Sequence, residues 1–224
     1  MSDAALPLSN DKPALPRLAG GRDVRLGLAL KRLMDIAIST VLLVVLSPLW
    51  LVIAILVRAT SAGRALYGVD WVGEGGRQFR GYKFRTMVVD ADRQEEALQS
   101  HNEMRGPAFK MENDPRITPL GRVLRRYSLD EFPQLWSVLK GDLSLVGPRP
   151  PRVHEYVRFT PFQMSKMAVK PGITCLWQVE GRHRINDFDE WVRLDIRYIE
   201  TWSLGLDIWI LIRTAGVVLR GTGA

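Results

Sequence analysis

The stretch IAISTVLLVVLSPLWLVIAILV, residues 36–57, is the longest apolar run in the chain, 22 residues without a charge. Its reading decides the fold, because roughly 20 apolar residues are enough to span a hydrocarbon core. Ser47-Pro48 interrupts it near the middle. Proline has no backbone N–H and its ring clashes with the preceding turn, so a helix kinks or breaks there. Each half would be about 15–18 Å long at ~1.5 Å per residue, too short to cross alone. Lys31 and Arg32 stand before the run and Arg58 and Arg64 after it. Basic flanks mark cytoplasmic ends, and here both ends carry them. A helix-break-helix that enters one leaflet and returns satisfies both features. A kinked spanning helix stays open beside it, and a buried core helix is the third reading.

Working outward, residues 1–28 are rich in Pro, Ala and Gly and hold no apolar run or small-residue cleavage site of a secretory signal. They read as a disordered tail, and the body as remaining in the cytoplasm. The formal net charge is +7, which points to acidic partners: nucleotide phosphates, nucleic acid or an anionic membrane surface. One cysteine, Cys175, excludes an internal disulfide and a multi-cysteine zinc site. His101, His154 and His183 share no ligand spacing, so any metal would be a hard cation on carboxylates and water.

Beyond the run, ALYGVDWVGEGGRQFRGYKFRTM (65–87) alternates apolar and polar residues around a glycine-rich turn and predicts a β-hairpin. Its second strand carries Lys83, with Arg85 on the same face, aimed at solvent or at phosphates and lipid headgroups. Val88–Ser100 reads as a charged, solvent-facing helix and 101–116 as a loop. Thr118-Pro119 opens another helix, 151–169 gives two short helices parted at Thr160-Pro161, and CLWQV (175–179) reads as an apolar strand. Asp187–Thr201 is an amphipathic helix. The segment after it, with Trp202, Trp209, Arg213 and Arg220, suits a helix lying in a membrane interface or packing on the core. The fold class is therefore α+β and mainly helical: a re-entrant helix pair, a small hairpin, and interfacial helices around a site.

That site is expected in RRYSLDEFPQLWSVLKGDLSLVGPRP (125–150). Ser128-Leu129-Asp130-Glu131 fits an S-x-x-E capping box, in which serine accepts a backbone N–H and glutamate reaches back. Asp130 would then lie in a first turn whose dipole favours its ionised form. A carboxylate held so, with arginines and a divalent cation nearby, can attack phosphorus. Arg149 is fixed between Pro148 and Pro150, and Arg125 lies five residues before Asp130. Pro133 leaves the helix start open. Two D-x-D triplets, Asp90-Ala91-Asp92 and Asp187-Phe188-Asp189, match the metal motif of glycosyltransferases only as short, chance-prone patterns. No P-loop, dinucleotide-binding or nucleophile-elbow motif is present.

KRLMDI (31–36), YKFRTM (82–87), SLDEFPQLWSVLKGDLSLVGPRP (128–150), PGITCLWQV (171–179) and WSLGLDIWIL (202–211) together resemble the bacterial sugar transferases. These are monotopic polyprenyl-phosphate phosphoglycosyl transferases. The likeness covers about residue 30 to the C-terminus, and its central block is highly specific. It implies a re-entrant membrane helix over 29–64, broken at Ser47 and Pro48, and a cytoplasmic catalytic part over 65–224. It also implies attachment to the bacterial inner membrane. The substrates would be a UDP-sugar and polyprenyl phosphate, with no nucleic acid; the products would be UMP and a polyprenyl-diphosphate sugar. Asp130 is implied as the nucleophile that becomes a phosphosugar ester. Glu131 would place the metal or accept a proton, and Mg²⁺ would lie at Asp130 and Glu131. Arg125, Arg149, Lys83 and Arg85 are the expected phosphate-binding residues. Cys175 departs from the family's usual glycine in PGITG. Which sugar is used stays open, as does the oligomeric state, a homodimer being one expectation.

Two other classes remain on the sequence: a non-catalytic adaptor binding anionic lipid through its basic surface, and a metal-dependent glycosyltransferase using Asp187 and Asp189. The nucleotide product separates them from the transferase, since they release none or UDP.

Overall fold

The computed structural model describes residues 22–181 and 185–223. Helix α1 runs over Arg22–Val45 and α2 over Ser47–Thr60, bent against each other by 61°. The bend falls at Ser47-Pro48, as the proline requires. Pro48 cannot donate to the carbonyl of Val44, and the Ser47 hydroxyl donates to that carbonyl instead at 2.8 Å. No single helix among the described residues is long and apolar enough to cross a membrane; the bent pair together has that length and composition. Helix α1 begins at Arg22, inside the stretch expected to be tail, and residues 1–21 lie outside the described residues.

The predicted hairpin forms from β1 (Leu66–Val72) and β2 (Gln78–Phe84), paired antiparallel with Tyr67 opposite Lys83. The charged segment after it is no continuous helix. Helix α3 covers only Ala91–Glu95 and tightens into a 3₁₀ helix over Glu96–His101. Helix α4 (Pro119–Arg126) starts at Thr118, whose hydroxyl accepts the N–H of Gly121, with Pro119 in the first turn. A 3₁₀ helix over Leu129–Gln134 leads into α5 (Leu135–Lys140) and then β3 (Ser144–Val146). Short helices α6 (Val153–Tyr156) and α7 (Pro161–Met164) part at Thr160-Pro161 as expected.

Strand β4 is Gly172–Thr174, parallel to β3, and the strand expected over CLWQV is instead helix α8 (Leu176–Glu180). The reason is local. Gln178 folds back so that its side-chain oxygen accepts the N–H of Cys175 at 3.1 Å, which caps a helix and closes off the extended conformation. The strand was expected to end at Gly181-Arg182, of which Arg182 lies outside the described residues, as do 183 and 184. Helices α9 (Phe188–Glu200) and α10 (Leu204–Arg220) complete a mainly helical chain with two small sheets.

The largest core joins Trp71 and Phe79 of the hairpin, Val138 of α5, Leu145 of β3, Ile199 of α9 and Ile210 of α10, with Ile38 and Leu42 of α1 packed on it. A smaller one seats α2 through Ile53 and Val57 on Phe84 of β2 and Leu124 of α4. Three polar residues in one turn of α1 tie it to the body. Lys31 Nζ meets Asp207 at 2.7 Å and the Val146 carbonyl at 2.9 Å. Arg32 donates to the carbonyls of Val138 and Leu139 at the end of α5. Asp35 accepts the N–H of Leu145. Beyond that turn α1 and α2 expose Val41, Val44, Val45, Leu51 and Ile55, and α10 exposes Ile208, Trp209, Ile212 and Leu219.

Candidate active site

Asp130 and Glu131 lie in the 3₁₀ helix that follows α4, and the chain reaches them through an unusual residue. Ser128 has φ 53° and ψ 24°, the left-handed region, and among the described residues no other non-glycine has a positive φ. Its side chain caps no backbone N–H, so the expected capping box at Ser128–Glu131 is absent. The physical reason is the backbone: an N-cap residue needs extended φ/ψ to bring its oxygen over the first turn, and a left-handed residue cannot. Here the backbone closes the turn itself, with Ser128 N–H to the Arg125 carbonyl (3.0 Å) and Glu131 N–H to the Ser128 carbonyl (3.3 Å). Pro133 fits inside the 3₁₀ helix, so Asp130 sits within its first turn. The end of α4 is pinned from afar, because the N–H of Gly223 donates to the Arg126 carbonyl at 2.7 Å.

Around the dyad the fold gathers cations. Lys83 Nζ lies 2.6 Å from Glu131 Oε1, and Arg149 Nη1 lies 3.7 Å from the same oxygen. Arg125 donates from Nε to the hydroxyl of buried Thr86 at 2.9 Å and acts electrostatically on Asp130. Asp130 is only 8% exposed. Burial pushes its carboxyl above the usual range, Glu131 adds to that, and Lys83 and Arg125 oppose it. Burial also pulls the Lys83 ammonium down, against the pull of Glu131. Arg85 is placed elsewhere than expected. It lines the same cavity, but its guanidinium donates to the carbonyl and hydroxyl of Ser61 at the end of α2.

These residues line a cavity of about 330 Å³. Sequence reasoning missed several of its walls. Arg116 makes a bidentate ion pair with Asp114 and reaches Glu95 at 3.1 Å, and Glu95 also faces Arg152 at 3.4 Å. Lys166 and Asp195 form a buried ion pair at 2.6 Å, with Lys166 at the cavity wall. Trp177 stacks on Trp191 with ring centroids 4.2 Å apart and faces Arg149. None of these carries a local motif, and Asp114 lies in the stretch 101–116, which reads from sequence only as a loop. Three of the four D-x-D aspartates are occupied within the fold. Asp92 accepts the Tyr67 hydroxyl, Asp187 caps α9, and Asp189 accepts from Gln163.

Among the described residues no group of three or more His, Cys, Asp or Glu converges as a metal cage. Two adjacent carboxylates at a cationic cavity nonetheless fit Mg²⁺, which commonly takes one or two carboxylates and completes its octahedron with water and substrate phosphate. Chemically, the arrangement holds a buried carboxylate among cations of the kind that can bind phosphate.

The family described as "Bacterial sugar transferase" matches residues 26–221. A galactosyl transferase CpsE of Streptococcus agalactiae is 52% identical over 73% of this chain and 36% of its own length. An undecaprenyl-phosphate galactose phosphotransferase of Salmonella typhimurium is 44% identical over 87% of this chain and 41% of its own. The exopolysaccharide production protein ExoY of Rhizobium meliloti is 35% identical over 87% of both. The chain thus spans about two fifths of the first two relatives and most of the third.

Proposed function

The chain belongs to the bacterial sugar transferase family, and we propose that it moves a sugar-1-phosphate from a UDP-sugar to polyprenyl phosphate, undecaprenyl phosphate in particular. One observation carries this reading: a buried carboxylate, Asp130, faces a cavity with Lys83, Arg125 and Arg149 around it. In the first step an oxygen of Asp130 bonds to the sugar-bearing phosphorus while the bond to the UMP oxygen breaks. UMP leaves with that electron pair. In the second, an oxygen of the lipid phosphate attacks the same phosphorus and Asp130 departs as a free carboxylate. The product is a polyprenyl-diphosphate sugar.

Arg125 and Arg149 hold phosphate oxygens in this scheme, and Lys83 keeps Glu131 oriented. Arg85 steadies the cavity edge from α2. Asp130 and Glu131 are the residues that would hold Mg²⁺, which supplies charge neutralisation to a diphosphate when bound. The bent α1–α2 pair and the apolar side of α10 dip into one leaflet of the inner membrane, with the site on the cytoplasmic face. There the reaction is the first membrane step of an exopolysaccharide, capsule or O-antigen repeat, and two copies pair as a homodimer.

The test is the nucleotide released from UDP-galactose, UDP-glucose and their N-acetylated forms with undecaprenyl phosphate in detergent or nanodiscs. UMP is expected. UDP as the product would overturn the proposal in favour of glycosyl transfer, and no nucleotide with any sugar would favour a binding role. Crosslinking in membranes is expected to give a dimer.

The same scheme sets a pH profile. Asp130 must be ionised and its folded pKa is raised, so activity falls on the acid side at a pH above the ordinary 3.8. Lys83 must be charged and its pKa is lowered, so the alkaline limb begins below the ordinary 10.5. Lys83→Met removes a charge that draws Asp130 down, so its acid limb should move to higher pH in kcat/KM measured from pH 5 to 10. An unmoved acid limb would count against the pairing.

A further inference from the structure

Ser128 stands in a conformation that a serine adopts only at a cost, and among the described residues nothing bonds its hydroxyl. An L-residue in the left-handed region brings its Cβ close to the carbonyl oxygen, which glycine avoids and which asparagine or aspartate tolerate better. Glycine ends α5 and α10 in this chain, where Gly141 and Gly221 take the left-handed position after the last turn. At the end of α4 the same kind of turn is made with serine. The hydroxyl caps no N–H, and Ser128 lines the cavity two residues before Asp130. A strained residue that persists without a structural bond is one whose side chain is wanted where the strain puts it.

We propose that Ser128 is a phosphate-contacting residue. Its hydroxyl donates to a non-bridging oxygen of the phosphoryl group in transit at Asp130, and the left-handed backbone is what turns it toward the cavity. This inference rests on the transferase reading. Arg125 and Arg149 supply charge to the phosphate from the sides, while Ser128 supplies a short neutral donor from the same turn as the nucleophile. The phosphoryl group is common to both half-reactions, so the hydroxyl serves UDP-sugar cleavage and lipid transfer alike. A donor that acts on the group in transit raises kcat and leaves the two KM values nearly unchanged.

Ser128→Gly keeps the backbone at ease and removes the hydroxyl. It should melt at the same temperature as the parent or slightly higher, yet lose roughly 10- to 100-fold in kcat for both half-reactions. Ser128→Asn, which tolerates the left-handed region and keeps a donor, should recover part of that loss. Ser128→Ala, which keeps the strained Cβ and loses only the hydroxyl, should lose activity with a Tm near the parent's. Wild-type kcat in Ser128→Gly overturns the inference. So does a loss confined to the KM of one substrate, or a drop in Tm that parallels the loss of rate, since a purely structural serine would behave that way.

A wild-type protein that releases no UMP would instead sink the functional reading. In that event the serine is still tested with a mimic of the group in transit. Orthovanadate, which can take the five-coordinate geometry of phosphorus under attack, should raise the Tm of the wild type more than that of Ser128→Gly, and equal shifts would dispose of the contact.

Discussion

Asp130→Asn should give a folded protein whose UMP release is at least ~10³-fold below the parent, a loss of about 4 kcal/mol or more in transition-state stabilisation. Asparagine has the shape of aspartate, but its amide oxygen carries no full negative charge with which to bond phosphorus. Stability is expected to hold or rise. Burial lifts the folded pKa of Asp130 above 3.8, so the native state binds a proton that the unfolded chain has released. Stability from this group therefore falls as pH rises through the window between the two pKa values, and above it the penalty stays in full. Asparagine removes that penalty. Tm without divalent cation, beside a nucleotide-release assay, makes the comparison. The pattern of a steadier fold with no turnover identifies a group kept for chemistry; near-normal turnover would remove Asp130 from the mechanism. Intact-mass analysis of the parent with UDP-sugar alone should show a phosphosugar adduct, and the variant should show none.

The second large effect lies away from the cavity. Asp207 is fully buried and accepts from Lys31 (2.7 Å), Tyr198 (2.7 Å) and Trp202 (3.1 Å) at once. Asp207→Ala leaves Lys31 without its counter-ion at a nearly buried position and strands the Trp202 indole N–H. Removing one partner of a buried pair destabilises by about 3–5 kcal/mol, because the remaining charge has no compensation. Thermal or denaturant unfolding in detergent should show this loss. Lys31→Met with Asp207→Leu, which removes both charges, should recover much of it. A single variant as stable as the parent would mean that α1 is held by its apolar contacts alone.

Legibility from sequence followed range. Ser47-Pro48 declared the bend because proline acts on its own turn, and the hairpin declared itself through alternation around glycines. The dyad was found through a motif and a family likeness, although the local capping rule attached to it failed at the left-handed Ser128. CLWQV misled because a short apolar run does not tell strand from helix, and the Gln178 side chain that decided it acts through a single bond. Lys166, Asp195 and Glu95 were invisible, since their partners lie far along the chain and no spacing announces them. Alternation set Arg85 on the face of Lys83 and both line the cavity, yet Arg85 falls one residue past β2 and Ser61 takes its guanidinium.

The small exchange at the bend has a consequence of its own. A carbonyl freed by proline normally needs water, and a kink that needs water cannot sit in hydrocarbon without opening a path for it. Ser47 answers the Val44 carbonyl from within the same turn. The kink therefore brings its own solvent, one hydroxyl wide, and its angle need not follow how wet or dry the surroundings are.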